Sequence, residues 1–306
     1  MTTTVSYSPS LGLSPQPGDL VVMSISQSND AFWGPYARTA VAPNCFFFNV
    51  RDDRTPAQWT LNQGRDTLDN PHFLIPGDTQ QYFPPLGAGE YRGGSSWSRF
   101  FNHFESTPPA SRPASRVIVI MIAEHGAPSG QFTPSSGGVV RPNWERMIAA
   151  YDKITSYGWD VNWINYAQGE SDALGLVSPA VYKSNIHKIV DGLRDHGVTA
   201  PFIIDQNTLC RLRSDAPGSA VYDAPNFDSL GSDLWTRTTH LRSEQAIREA
   251  QLESIDPARN MHQGIDCDLV HGRLDGCHHS RDGHTLIAYL RYRRLFEHIA
   301  NGVITV

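Results

Sequence analysis

The sequence predicts a doubly wound α/β protein: a three-layer α/β/α sandwich around a mainly parallel five-stranded sheet. Three observations lead there. Two continuous apolar runs, Leu20–Ser24 and VIVIMIA at Val117–Ala123, suit strands covered on both faces rather than strands with one wet side. Amphipathic segments of helical period alternate with strand-like runs, as in βαβ units joined by right-handed crossovers. The 306 residues, 40% hydrophobic and 18% charged, suffice for one large domain with a buried core.

Residues 1–18, MTTTVSYSPSLGLSPQPG, read as a Ser/Pro-rich arm or linker, and 19–306 as a single domain. The arm has neither the basic start nor the apolar centre of a secretory signal. The first strand, Leu20–Ser24, is followed by a long stretch from Asn29 to Gly94, rich in Pro, Gly, Asn and aromatics. It breaks the strand–helix rhythm and reads as a long loop insertion with a function of its own. Its aromatics, among them Trp33, Phe46, Phe47, Phe48, Tyr82 and Tyr91, are packing residues by default, and some are placed to stack on a sugar ring. The helical segment SWSRFFNHFES precedes the second strand, and NWERMIAAYDKITSYG follows it, ending on Gly158 as a C-cap.

The third strand is expected at Asp160–Ala167. The next helix opens on Ser178 and Pro179, a cap and first-turn pair, and closes on Gly197. Then come a fourth strand at Pro201–Asp205, the helix SEQAIREAQLES, a fifth strand at Asp266–Val270 and the final helix RDGHTLIAYLRYRRLFEHIA. The expected strand order is 2-1-3-4-5, flavodoxin-like. Arg291, Arg293 and Arg294 on the final helix read as a solvated face.

A formal net charge of −6 without a basic stripe argues against a nucleic-acid partner, and no run is long enough for a membrane span. Cys45, Cys210, Cys267 and Cys277 are too few and too scattered for a disulfide framework or a CxxC metal site. For Cys267 and Cys277, which flank the fifth strand, a disulfide and two buried thiols both stay open. The spacing of Cys277, His278, His279 and His284 fits no closed zinc site, so no metal is expected. These features leave location open; action outside a cell or on a virion is compatible with them.

In open α/β sheets ligands sit beyond the carboxyl ends of the strands. Three polar clusters fall there: SQSN around Ser28, NYAQGESD around Gln168–Asp172, and DGCHHS before the last helix. The second strand adds EHGAPSG, with Gly126. Acyl transfer needs a hydroxyl nucleophile, a histidine base, a carboxylate that sets the histidine tautomer, and donors for the oxyanion. Ser28 supplies the hydroxyl. Asp275 and His278 are three apart around Gly276, so the carboxylate can fold back onto Nδ1. The Ser28 and Gly126 amides and the Gln168 side chain are candidate oxyanion donors. Glu170 and Asp172, two apart on one loop, are poorly placed to flank a sugar as a glycosidase pair. Asp205, Gln206 and Asn207, at another strand end, read as a turn or helix cap.

SQSND, NYAQGESDA and DGCHHSRDGHTLIAYL resemble the first, third and fifth conserved blocks of the SGNH hydrolase superfamily, and more narrowly its carbohydrate-esterase branch of sialate O-acetylesterase and acetylxylan esterase-like proteins. The segment IREAQ at Ile247–Gln251 is similar to a helix of that branch, and the resemblance runs over roughly residues 19 to 300. It implies Ser28, Asp275 and His278 as the triad, with Gln168 as oxyanion donor and Glu170 as a buttress. Gly126 matches the glycine after the second strand, with Gly94 in YRGGSSW as its rival. Gln27 and Asn29 are implied as support for the blocks or contacts to substrate. Two departures stand out: Ser26 replaces the glycine before Gln27, and Asp30 replaces a methionine or small residue after Asn29. The implied activity is removal of O-acetyl groups from a carbohydrate without a cofactor. A sugar-binding or adsorption module on the same fold, assembled through the N-terminal arm, is the alternative from another class. A lipase or thioesterase of the superfamily fits the Gln-Ser-Asn and Gln-Gly-Glu blocks less well.

Overall fold

In chain order the strands are β1 (Asp19–Ser26), β2 (Gly34–Pro35), β3 (Ala42–Asn49), β4 (Thr60–Gly64), β5 (Arg92–Gly94), β6 (Arg116–Ala123), β7 (Trp163–Ala167), β8 (Phe202–Gln206) and β9 (Met261–Asp266). The helices are α1 (Ser96–Ser106), α2 (Pro142–Ser156), α3 (Glu170–Leu174), α4 (Pro179–Asp195), α5 (Leu234–Glu253) and α6 (Arg281–Ala300). The computed structural model describes residues 14–27, 29, 34–35, 42–49, 60–64, 92–94, 96–124, 126–210, 234–270 and 277–306.

Strand β1 is buried along its whole length because β6 and β7 pair with it in parallel, from Asp19↔Arg116 to Ser26↔Ala123 on one side and from Val22↔Trp163 to Ser26↔Ala167 on the other. Alternation along the strand then feeds two cores. Val21, Met23 and Ile25 pack with Met147, Ala150 and Ile154 of α2, with Ile186 and Ile189 of α4 and with Ile247 of α5. Leu20 and Val22 face the other way, onto Trp97, Phe100, Phe101 and Phe104 of α1 and Ala288, Tyr292 and Leu295 of α6. The result is an α/β/α sandwich whose sheet is mainly parallel.

The sheet order is β4-β3-β6-β1-β7-β8-β9. The five expected strands therefore stand in the expected order 2-1-3-4-5, but among the described residues the sheet has seven strands, not five. The two additions come from the stretch read as loop. Strand β3 pairs in parallel with β6 from Cys45↔Val117 to Phe48↔Ile120, and β4 closes that edge antiparallel. Phe46 and Phe48 go to the α2/α4 core and Cys45 to the α1/α6 core, so the aromatic run is a doubly covered strand.

The fifth strand also lies earlier than expected. It is β9; Cys267–Leu269 form a 3-10 turn in which the Asp266 carboxylate accepts the Asp268 N–H at 3.1 Å. A local Asx bond of this kind ends the ladder where apolar content alone suggested that it continues. Gly264 disguises β9 in the sequence. A Cβ there would stand 3.0 Å from the Ile204 carbonyl on β8 and would strike the Asp205 carboxylate, so the strand must give up a side chain to pair.

The reading of Arg291 as solvated is overturned. It is 1% exposed, and its Nε and Nη2 both donate to Asp205 Oδ2, at 2.9 and 2.8 Å. Asp205 is thus an internal anchor rather than a cap, and its other oxygen accepts the Ile265 N–H at 2.9 Å. Among the described residues no helix is long and apolar enough to cross a membrane.

Near the end of α6, His298 is buried beside β9, with Nε2 3.1 Å from the Gln263 carbonyl. Burial, reinforced by the nearby Arg294, lowers its pKa from 6.5 to about 4. The folded state therefore holds the neutral ring, while the unfolded chain takes up a proton below pH 6.5. Stability contributed by the neutral ring is intact above that pH and is lost as pH falls toward 4, up to about 3 kcal/mol for this group. Thermal unfolding followed from pH 7 to pH 4 is expected to show a falling midpoint, and His298→Gln should flatten that slope.

Candidate active site

In a parallel sheet the strands β1, β6 and β7 deliver their carboxyl ends to one edge, and the polar blocks collect there. Ser28 and Asp275 lie outside the described residues; Gln27 and Asn29, the neighbours of Ser28, are described. Gln27 and Asn29, on either side of Ser28, are both buried and both tied to the QGES block after β7. Gln27 Oε1 accepts the N–H groups of Gly169 (3.2 Å) and Ser171 (3.3 Å), and its Nε2 donates to Ser171 Oγ. Asn29 Nδ2 donates to Glu170 Oε1 at 2.7 Å.

Asn29 also reaches the third cluster. Its Nδ2 donates to the Cys277 carbonyl (3.2 Å) and its Oδ1 accepts the His279 N–H (2.9 Å). These are the backbone groups on either side of His278, itself buried. One side chain thus fixes the segment that carries the candidate base against the turn that carries the candidate nucleophile, across about 250 residues of sequence. His279 and His284 are buried as well, with ring centroids 5.8 Å apart, so His279 is packed inside rather than on the surface.

Cys277 forms a disulfide with Cys210, while Cys45 and Cys267 are buried thiols. Neither open alternative for Cys267 and Cys277 holds, since Cys277 pairs with Cys210 and Cys267 stays a thiol. Asp268 draws the loop after β8 onto this region: its carboxylate accepts from Thr208 N (2.9 Å), Leu209 N (2.9 Å) and Thr208 Oγ1 (2.7 Å), which brings Cys210 to Cys277. The bridge closes a sequence separation of 67 residues. Reduction, or the double substitution Cys210→Ser with Cys277→Ser, is expected to lower stability by about 2–4 kcal/mol in urea unfolding.

Gly126 follows β6 at the same edge. Its φ is +66°, the left-handed region, and a Cβ there would meet nothing within 4 Å; backbone conformation rather than space calls for glycine. Gly94, the rival, sits in the short ribbon of β2 and β5, paired with Gly34. Gln168 lies at the end of β7 as expected, fully buried, but its amide is committed. Nε2 donates to the Ala127 carbonyl (3.1 Å) and to Asp172 Oδ2, and Oε1 accepts from Tyr166 OH (3.0 Å). An amide has two hydrogens. Both are used inside the protein, so an oxyanion finds none here.

The sequence reading missed the props beneath this block. Gln168 O accepts from Tyr182 OH (2.5 Å) and from Gln251 Nε2 (2.8 Å), and Gln251 Oε1 accepts the Asn207 N–H at 3.3 Å. Gly169 leaves room for this meeting, since a Cβ there would lie 2.5 Å from the Asn207 carbonyl and 2.6 Å from Gln251 Nε2. Gln251 is the last residue of the IREAQ segment, the one sequence signal that pointed here. Burial pushes the Tyr166 and Tyr182 hydroxyls well above their usual pKa, so both stay donors at neutral pH.

Fold and site together define a three-layer α/β/α protein with a braced polar site beyond the carboxyl ends of β1, β6 and β7. No protein-family model and no curated protein sequence matches the chain. Solved structures share its fold. A protein from Arabidopsis thaliana matches at 15% identity and a TM-score of 0.57, over 92% of this chain and 99% of that one. NanS matches at 12% identity and 0.58, over 94% and 99%. A carbohydrate acetylesterase from Xanthomonas citri matches at 14% identity and 0.52, over 92% of this chain and 56% of that one.

Proposed function

We propose that the chain is an SGNH-type serine esterase that removes O-acetyl groups from a carbohydrate. The observation that carries the reading is the Asn29 clamp, which bonds both backbone neighbours of His278 from the residue after Ser28. Acyl transfer needs just this meeting of a hydroxyl turn and a histidine segment remote in sequence. The fold shared with a carbohydrate acetylesterase supports the substrate class.

In the proposed reaction His278 takes the Ser28 proton as Oγ attacks the acetyl carbonyl. Asp275 holds the imidazole in the required tautomer and stabilises its cation. The oxyanion is met by the Ser28 and Gly126 amides. Gln168, with both hydrogens engaged, acts as a brace for the turn beyond Gly126 instead of as a donor. The protonated His278 releases the sugar hydroxyl, and water activated by the same base then frees acetate from the acyl-enzyme.

The purified protein is expected to release acetate from a small aryl acetate and from some members of a panel of acetylated sugars and polysaccharides. Binding to an acetylated glycan without acetate release from any of these substrates would replace this reading by a binding module.

A further inference from the structure

Asp172 takes no part in the chemistry above, and as half of a glycosidase pair it was dismissed on spacing alone. Yet it is fully buried, and its carboxylate collects three donors. Oδ2 accepts the Ser129 N–H at 2.7 Å and the Gln168 Nε2–H, and Oδ1 accepts Ser129 Oγ–H at 2.6 Å. Ser129 Oγ in turn accepts from Asn185 Nδ2 of α4 at 2.9 Å. Burial raises the Asp172 pKa, and the hydrogen bonds from Ser129 and Gln168 offset part of that rise by favouring the carboxylate.

The Ser129 bonds fall on the turn that carries Gly126, and the remaining bond holds Gln168, which itself binds the Ala127 carbonyl of that turn. Ahead of that glycine, Glu124 N donates to the Ser26 carbonyl at 3.2 Å. Beyond it, the Ala127 carbonyl is held by Gln168 and the Ser129 backbone and hydroxyl by Asp172. Gly126 itself is exposed, left-handed, and has nothing within 4 Å of where a Cβ would be, so packing does not fix it. Its amide direction is set by the anchors on either side. The anchor beyond it is a buried carboxyl group.

We infer that Asp172 is a positioning residue for the oxyanion site: through Ser129 and Gln168 it aims the Gly126 amide at the developing alkoxide. The inference rests on the esterase reading and adds to it a residue outside the triad. A donor misaimed by about 1 Å costs on the order of 100-fold in rate, and loss of one oxyanion donor costs about 100- to 1,000-fold.

Asp172→Asn is the direct test. It is isosteric, so no cavity opens, but it removes the carboxylate and turns one acceptor oxygen into an NH2. Facing the Ser129 hydroxyl, the NH2 reverses that bond; facing the Ser129 and Gln168 N–H groups, it loses both. Steady-state kinetics on an aryl acetate should show kcat down by about 100-fold with KM within about twofold of wild type. Affinity for an alkylboronic acid, whose tetrahedral adduct needs the same donors, should fall by a similar factor. Ser129→Ala, which removes the hydroxyl's bonds to Asp172 and Asn185 but leaves the carboxylate paired with the residue 129 N–H and with Gln168, should give an intermediate loss of about tenfold, and serves if the asparagine variant does not fold. A folded Asp172→Asn protein with wild-type kcat overturns the inference, as does a loss shown entirely in KM with unchanged boronate affinity. Should the asparagine variant not fold, wild-type kcat in Ser129→Ala overturns it. A wild-type protein that neither hydrolyses the ester nor binds the boronate overturns the esterase reading instead, and the two failures are thus distinct.

Discussion

Alanine in place of Ser28 is expected to slow aryl acetate hydrolysis by about four to six orders of magnitude, and alanine in place of His278 by about the same factor. The nucleophile and its base act as a unit, so the double variant should be little worse than either single one. What survives comes from binding and from the two oxyanion amides, which alanine at either position leaves in place. Because Ser28 and His278 stand on segments held by other side chains, neither substitution should unfold the protein. Gln27 and Asn29 keep the Ser28 turn on Gly169, Glu170 and Ser171, and Cys277 keeps its bridge to Cys210. Circular dichroism and the unfolding midpoint therefore serve as controls. Asn29→Ala separates the clamp from the chemistry. It leaves all triad residues in place but frees the Cys277 carbonyl and the His279 N–H, and should cost about 100-fold, between wild type and Ser28→Ala. Retention of most of the activity in folded Ser28→Ala would sink the mechanism.

How much of this was legible in the sequence depends on what each residue answers to. Strands β1 and β6 were legible because burial on both faces forces a continuous apolar run, and helix α4 because its cap is local: Ser178 Oγ accepts the Val181 N–H at 3.3 Å, just ahead of Pro179. Strand β9 was hidden because its composition answers to its neighbours. Gly264 exists to admit Asp205, and only Ile265 and Met261 carry apolar weight. Strand β3 was hidden by the Pro- and Gly-rich stretch around it, although its Cys45, Phe46 and Phe48 meet the same two cores as β1. The site was legible at the level of blocks, since a parallel sheet sends every strand's carboxyl end to one edge. It was not legible at the level of hydrogens. No spacing rule reveals that the Gln168 amide is taken by Ala127 and Asp172, or that Cys277 meets Cys210 and not Cys267.

Arg291 presents the same difficulty from the side of stability. On a helix drawn alone it continues a basic stripe; with β8 beside it, it is the partner of Asp205, and both are 1% exposed. Its Nη1 also donates to Ser96 Oγ at the start of α1, and its guanidinium stacks on the Trp97 ring, 5.1 Å from the centroid. One side chain therefore joins α6, α1 and the sheet. Asp205→Ala leaves a buried guanidinium without its anion and frees the Ile265 N–H, and is expected to cost about 3–5 kcal/mol. For a domain of this size that is a fall of about 5–8 °C in the thermal midpoint. The geometry also predicts a non-additive cycle. Arg291→Met alone strands the carboxylate and should cost a similar amount, whereas the double variant Asp205→Leu with Arg291→Met removes both charges and should cost less than either single change. Urea unfolding of the three variants measures this. Additive losses would mean that the two groups do not depend on each other, and that the stability of the α6–sheet contact comes from the apolar packing of Ala288, Tyr292 and Leu295 alone.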